Sequence, residues 1–389
     1  MGTALNRPAQ FLAMIGAVTL TVSPIPSVAI TPAPVPRDIP VGLLIDLSSG
    51  QTLFKRDPER RFMPASTTKI MTVYTAFELI SHGKLKLDET IEISPEIAEE
   101  WSGEGSSMFL KAGDHVTIAQ LMTGITTVSG NDACVALAVH AAGSLDKWLA
   151  MMNENAAFLG MKDSHFGSPN GYPDEGKTFT SAQDLAILAS ALVKRHPDLY
   201  QRFFGHHGMV YNGIAQSNHD PITGKVPGAD GIKTGYTRQA GYNFVGSAFR
   251  SGRRLIMVLA GSPTSRMRDE TARKLINWGY DDFENRLLVP ARAEIGTARV
   301  QDGALNSVTL RPRDDVVATV PVGGTVSPKL TIRYRGPVKA PIAKGQEVAR
   351  LHIEIPGQTP HEVPLVASHA VARANMLQRL VNGVEGFWS

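Results

Sequence analysis

The chain has 389 residues, which leaves room for two domains and a sizeable core. With 43% apolar residues, 36 glycines and 25 prolines it is neither a disordered chain nor a helical bundle, but mixed structure with many turns. A formal charge of +3 is too small to imply nucleic acid or another polyanion as partner, and the single cysteine, Cys134, excludes an internal disulfide.

Taken from its start, the chain places Arg7 before the uncharged stretch FLAMIGAVTLTV, which has the length of a secretory h-region. Prolines and Ser27-Val28-Ala29, an A-x-A-like cleavage site, follow. Residues 1–29 are therefore expected to be a signal peptide, with a retained signal anchor as the alternative. No cysteine lies near the cleavage site, which excludes a lipoprotein anchor. Residues 30–39, ITPAPVPRDI, read as a proline-rich linker. GLLIDL and QTLFK then flank Ser48-Ser49-Gly50, a hairpin signal. After Pro64-Ala65, the residues Ile70, Met71, Tyr74, Phe77 and Ile80 recur at helical spacing until Gly83, so Ser66 is expected at a helix N-terminus.

Trp101 with Gly103-Glu104-Gly105 reads as a loop above an active site or as a plain surface loop. From Ile118 to Lys194, apolar helical runs alternate with glycine breaks. Cys134 lies in one of them, ACVALAVHAAG, and is expected to be a core thiol. His206-His207 would point apart on a strand, and there is no H-E-x-x-H, so neither a metal nor a cofactor is expected. The string GADGIKTG lacks phosphate-loop spacing. The strand-like runs YNFVGSAF and RLIMVLAG lead to a helix around Arg266 to Trp278, and strands on both sides of a helical insertion predict an α/β sandwich. The catalytic part is thus expected to cover residues 40–285.

From about Arg286 the texture changes. Leu330, Ile332 and Tyr334, then Leu351, Ile353 and Ile355, alternate with polar residues, and residues 286–368 are expected to form a small all-β domain, a spacer or a docking surface. In the tail, 369–389, Met376, Leu377, Leu380, Val381, Val384 and Trp388 share one helical face. That pattern suits peripheral contact with a membrane surface, and packing on the β domain is the alternative.

Three strings carry the chemistry: Ser66-Thr67-Thr68-Lys69, Ser129-Gly130-Asn131 and Lys233-Thr234-Gly235. S-x-x-K also occurs at Ser81–Lys84 and Ser144–Lys147, and S-x-N at Ser168–Asn170, but only the Ser66 copy opens a helix with partners downstream. On a helix, positions i and i+3 share a face, so the Lys69 amine reaches the Ser66 hydroxyl. A lysine serves as base when its pKa falls below the usual value of about 10.4, through burial, a second cation such as Lys233, or the helix dipole. Ser129 would relay a proton to the leaving amine, and Asn131 would fix Lys69 or the substrate backbone. Lys233, Thr234 and Gly235 read as a strand edge where glycine admits a substrate. The oxyanion would need two backbone NH groups, from Ser66 and Tyr236.

The ordered set resembles the penicillin-binding proteins and class A β-lactamases. PASTTKIMT, GSSMFLKAGDHVTIAQLMTGITTVSGNDA, DGIKTGYT and LINWGY are similar to the low-molecular-mass D-alanyl-D-alanine carboxypeptidases, from about Val41 to the end. The resemblance implies the α/β (α+β) serine penicillin-binding/β-lactamase-like transpeptidase fold with a C-terminal all-β domain. It implies removal of the terminal D-alanine of peptidoglycan stem pentapeptides, with β-lactam antibiotics as covalent inhibitors; the leader and the amphipathic tail lead us to expect the protein in the periplasm, on the outer face of the cytoplasmic membrane. By the resemblance, Ser66 matches the acylated serine, Lys69 the general base, Ser129 the second hydroxyl and Lys233 the substrate-carboxylate lysine. Asn131, Thr234, Gly235 and Tyr236 would bind substrate. Asn170 replaces a histidine common in the family, His219 stands where some relatives place an arginine, and position 130 is glycine rather than aspartate. A DD-endopeptidase acting on crosslinks, or a non-catalytic wall-binding protein, are the competing readings.

Overall fold

A computed structural model describes residues 31–324, 328–356 and 360–375, which divide into a unit ending at Phe283 and a unit beginning at Glu284. In the first unit five antiparallel strands form one sheet in the order Gln51–Arg56, Val41–Asp46, Arg253–Ser262, Gly241–Arg250, Ala229–Thr237. Both faces are covered, so the strands read as continuous apolar runs whose alternate residues enter different cores. Ile256, Val258 and Ala260 pack with the helices Lys69–Ser81 and Ala182–Arg195. Leu255, Met257 and Leu259 pack with Ala272, Leu275 and Ile276 of the helix Ser265–Asp281. The expected sandwich and its first hairpin are present. Buried Asp46 closes that hairpin's end by pairing with Arg253 at 2.9 Å.

Residues 31–39 are not a free linker. Val35 and Ile39 are buried, the Arg56 guanidinium donates to the carbonyls of Val35, Pro36 and Ile39, and Trp278 Nε1 donates to the Thr31 carbonyl at 2.9 Å. Two apolar side chains that find a groove outweigh a proline-rich composition. In the helical insertion, Gly143 and Gly160 end Asn131–Ala142 and Leu145–Leu159 in the left-handed conformation, both at φ 77°. Cys134 is buried in the first of these helices, and burial pushes its thiol up to about 11. His206 and His207 lie in a bend ahead of the strand Gly208–Tyr211, not on a strand, and the His206 ring contacts the Arg202 carbonyl.

The second unit holds a six-stranded sheet in the order Lys329–Arg333, Glu347–Glu354, His361–Ala367, Ser307–Pro312, Gly296–Gln301, Val338–Lys339. Phe283–Val289 pairs with Val316–Pro321 in a second, two-stranded sheet. Leu330, Ile332, Leu351 and Ile353 are buried, as their alternation predicts. The unit continues past residue 368, because Val371 bridges Ile342, Arg373 bridges Gly303 and Ala374 is buried. The amphipathic positions from Met376 to Trp388, and the leader 1–29, lie outside the described residues. Among the described residues no helix is long and apolar enough to cross a membrane.

Candidate active site

Ser66 sits in a tight 3-10 turn, Ala65–Thr68, that runs into the helix Lys69–Ser81. The turn is held from several sides. Ala65 takes a left-handed φ of 51° while buried, and Gly171 packs directly on it: a Cβ at 171 would fall 1.8 Å from the Ala65 carbonyl oxygen. Asn243 Nδ2 donates to the carbonyls of Met63 at 3.0 Å and Pro64 at 3.2 Å, while its Oδ1 accepts from Gly261 N. Gly235 also faces this turn, and a Cβ there would lie 2.7 Å from the Pro64 oxygen and 3.2 Å from Ser66 N. The glycine expected to admit a substrate therefore admits the nucleophile's own backbone.

Lys69 is fully buried and its ammonium is surrounded by oxygen. Nζ donates to Ser66 Oγ at 3.0 Å, Asn131 Oδ1 at 2.8 Å and the Asn170 carbonyl at 2.7 Å. Burial lowers its pKa to about 8, against the opposing pull of Cys134 and Asp132. Desolvation, one of the influences expected from the sequence, is the leading one. Asn131 Nδ2 donates to the Glu104 carbonyl at 2.9 Å, which joins this amide to the 103–108 loop. Buried Asp132 fixes that loop by accepting from Ser107 Oγ, Met108 N and Leu110 N.

A cavity of about 570 Å³ opens over Ser66. One wall is Thr234 to Thr237 of the sheet's edge strand, and the other is Gly105, Ser106, Ser129, Asn131 and Gly171 to Pro173. Of the segment Trp101 to Gly105, Gly105 lines the cavity, and Trp101 ends the helix Pro95–Trp101. Ser129 takes a left-handed φ of 66° at the end of a wide turn, and its buried Oγ has no hydrogen-bond partner among the described residues. Lys233 is buried and is not among the residues lining the cavity: its Nζ donates to the Thr234 carbonyl at 3.0 Å, and burial, then repulsion from Lys69 and Arg268, lowers its pKa well below the usual range. Exposed Tyr236 stacks on Tyr242 with ring centroids 4.2 Å apart.

Sequence reasoning missed Arg268, Asn243 and Asp132, and named Asn170 without the part its carbonyl plays. Arg268 lines the cavity with Thr234 and His219, held by Asp269 at 2.6 Å and standing over the Tyr242 ring. Its signal was available, since Arg268 occupies the apolar stripe continued by Ala272, Leu275 and Ile276. Asn170 and Asn243 act on or through backbone carbonyls, and Asp132 acts on backbone amides. Ser168-x-Asn170, a string outside the main set, shapes the turn that presents the Asn170 carbonyl to Lys69: Ser168 Oγ accepts from Gly171 N at 2.9 Å. The Ser144 copy of S-x-x-K is a helix N-cap accepting from Lys147 N. His219, at the cavity edge, has its pKa lowered by burial and by Lys233 and Arg268. No carboxylate is among the residues lining the cavity.

The family described as D-alanyl-D-alanine carboxypeptidase matches residues 39–264, and that described as penicillin-binding protein 5, C-terminal domain, matches residues 283–373. The chain is similar to the D-alanyl-D-alanine carboxypeptidase DacD of Salmonella typhimurium, 32% identical over 91% of this chain and 92% of that protein. It is 33% identical to DacA of Escherichia coli over 88% of this chain and 86% of the relative. Among solved structures it resembles penicillin binding protein 5 from Haemophilus influenzae at 32% identity, with 89% of this chain and 100% of that chain covered and a TM-score of 0.77.

Proposed function

The chain belongs to the D-alanyl-D-alanine carboxypeptidase family, and from that premise we propose that it is a serine peptidase that removes the terminal D-alanine of peptidoglycan stem peptides. The observation that carries this reading is a fully buried Lys69 with Nζ 3.0 Å from Ser66 Oγ, on the floor of a cavity walled by an edge strand. An edge strand has unpaired backbone groups along one side, so an extended peptide can add to Ala229–Thr237 as a further strand. The terminal carboxylate would meet Arg268 and the Thr234 hydroxyl, with the buried Lys233 contributing its field. The scissile carbonyl would then lie over Ser66.

Neutral Lys69 takes the Ser66 proton as Oγ attacks the carbonyl carbon. Backbone NH groups of Ser66 and Tyr236 receive the oxyanion. Collapse expels D-alanine, whose amine takes up a proton through the Ser129 hydroxyl, and the peptidyl ester remains on Ser66. Water, deprotonated by Lys69, hydrolyses that ester and frees the shortened stem. A β-lactam follows the first half of this path: Oγ opens the ring amide, the ring nitrogen is protonated, and no fragment departs, so the acyl-enzyme is long-lived.

We also propose that residues 1–29 direct export and that the enzyme works in the periplasm, on the outer face of the cytoplasmic membrane. The leader pattern and the location of the wall substrate support this. The amphipathic pattern from Met376 to Trp388 supports peripheral membrane contact through the tail. A chain ending at Asn375 should leave the membrane fraction, and unchanged association would remove the tail from this role.

The reaction is tested by D-alanine release from diacetyl-L-lysyl-D-alanyl-D-alanine, comparing the wild type with Ser66→Ala. Release by the wild type alone, with a penicilloyl mass adduct on the wild type alone, is the expected result. Equal release by both proteins would overturn the assignment of the nucleophile, and none from either would overturn the activity.

A further inference from the structure

Part of the cavity rim has no task in the reaction above. Tyr172, a lining residue, donates its hydroxyl to Glu104 Oε1 at 2.9 Å and stands edge-on to Trp101 with ring centroids 5.4 Å apart. The main chain of Glu104 is tied to the catalytic floor, because its carbonyl accepts from Asn131 Nδ2 and Asn131 Oδ1 accepts from Lys69. An exposed carboxylate, outside the lining but next to Gly105, is thus held at a fixed place by the lining residue Tyr172. Its second oxygen, Oε2, has no partner among the described residues. Asp269, another carboxylate and the residue after the lining Arg268, is taken up by that arginine.

The direction of a bound peptide follows from the proposed anchors. With the terminal carboxylate at Thr234 and Arg268 and the scissile carbonyl at Ser66 and Tyr236, the peptide runs antiparallel to the strand. The residue preceding the D-alanine pair then lies beside Thr237, in a cavity whose other lining residues include Gly105, Tyr172 and Pro173. In peptidoglycan stems that residue is a diamino acid. Its side-chain nitrogen is an ammonium when the stem is uncrosslinked and a neutral amide when it is crosslinked.

Building on the carboxypeptidase reading, we propose that Glu104, oriented by Tyr172, receives this ammonium and selects stem peptides whose diamino-acid amine is free. Tyr172 holds one carboxylate oxygen and leaves the other for the ligand. An exposed ion pair of this kind is worth a few-fold in rate, and salt screens it. The site therefore biases the enzyme toward uncrosslinked stems without excluding others.

The test compares Nα-acetyl-L-lysyl-D-alanyl-D-alanine with its Nα,Nε-diacetyl form, on the wild type and on Glu104→Gln, which keeps an acceptor for the Tyr172 hydroxyl. The wild type should prefer the free amine by about three- to five-fold in kcat/KM at low salt, with the preference shrinking as salt is added. In Glu104→Gln the ratio should fall to about one and lose its salt dependence. An equal ratio in both proteins, or no preference in the wild type, would overturn the proposal and leave Glu104 as a support for Tyr172. If the wild type cleaves neither peptide, the carboxypeptidase reading fails, and this proposal falls with it.

Discussion

Lys69 lies on the cavity floor with no exposed surface and three oxygens around its ammonium, whereas Glu104 and Tyr172 stand exposed on the rim, joined by one side-chain hydrogen bond. Burying an ammonium costs several kcal/mol unless its donors are satisfied, and the three acceptors offset that cost while leaving the base poised near pH 8. The rim carries no such cost, because water still solvates its groups. Geometry on the floor is therefore held by backbone packing that tolerates little change. On the rim, a charge can be altered and only selectivity should respond.

Lys69→Met should break the comparison most. It removes the base and leaves Asn131 Oδ1 and the Asn170 carbonyl facing an apolar side chain, so peptide turnover and β-lactam acylation should both fall by about 10³-fold or more. In the wild type the pH profile sharpens the same point. Only neutral Lys69 accepts a proton, so with a pKa of about 8, kcat/KM should fall about ten-fold per pH unit below pH 8 and level off above it. A flat profile from pH 6 to 9 would show that Lys69 is not the titrating base.

A pair of glycines separates floor from surface in stability rather than rate. Gly171 and Gly176 both have positive φ, 76° and 84°, yet a Cβ at 171 collides with the Ala65 carbonyl and one at 176 meets open space. Gly176→Ala should cost about 1 kcal/mol from backbone strain alone. Gly171→Ala must also displace the turn that carries Ser66, and should cost about 3 kcal/mol or more. Urea unfolding at unchanged m-value is the measurement. Equal midpoints for the two variants would show that the Ala65–Gly171 contact is slack.

The same contrast explains what could be read without coordinates. Ser66 and Lys69 were legible because a helix turns an interval of three into a contact, and the strands Gly241–Arg250 and Arg253–Ser262 because their apolar runs outlast a single covered face. Alternation at Leu330 to Ile332 and Leu351 to Ile353 made the β unit equally plain. The carbonyl of Asn170 and those of Met63 and Pro64 were invisible, because backbone acceptors have no residue signature. Gly235 was legible as a close approach, but what approaches depends on a turn more than 160 residues away in the chain. The 31–39 segment misled because proline content describes how a chain bends, not whether Val35 and Ile39 find a core.

Arg268 sits between floor and rim, and substitution there should have an intermediate effect. Its guanidinium is buried against Tyr242 and held by Asp269, but it reaches the cavity beside Thr234. A charge-assisted hydrogen bond to a carboxylate contributes about 1.5–3 kcal/mol, so Arg268→Gln should lower kcat/KM for a D-alanyl-D-alanine peptide by about ten- to a hundred-fold, mainly through KM. The same peptide ending in a carboxamide offers no charge to lose, and should be cleaved equally poorly by both proteins. If the variant slows both substrates alike, Arg268 acts by supporting the Tyr242–Tyr236 stack rather than by binding the carboxylate. The anchor would then fall to Lys233, whose ammonium is now bonded to the Thr234 carbonyl.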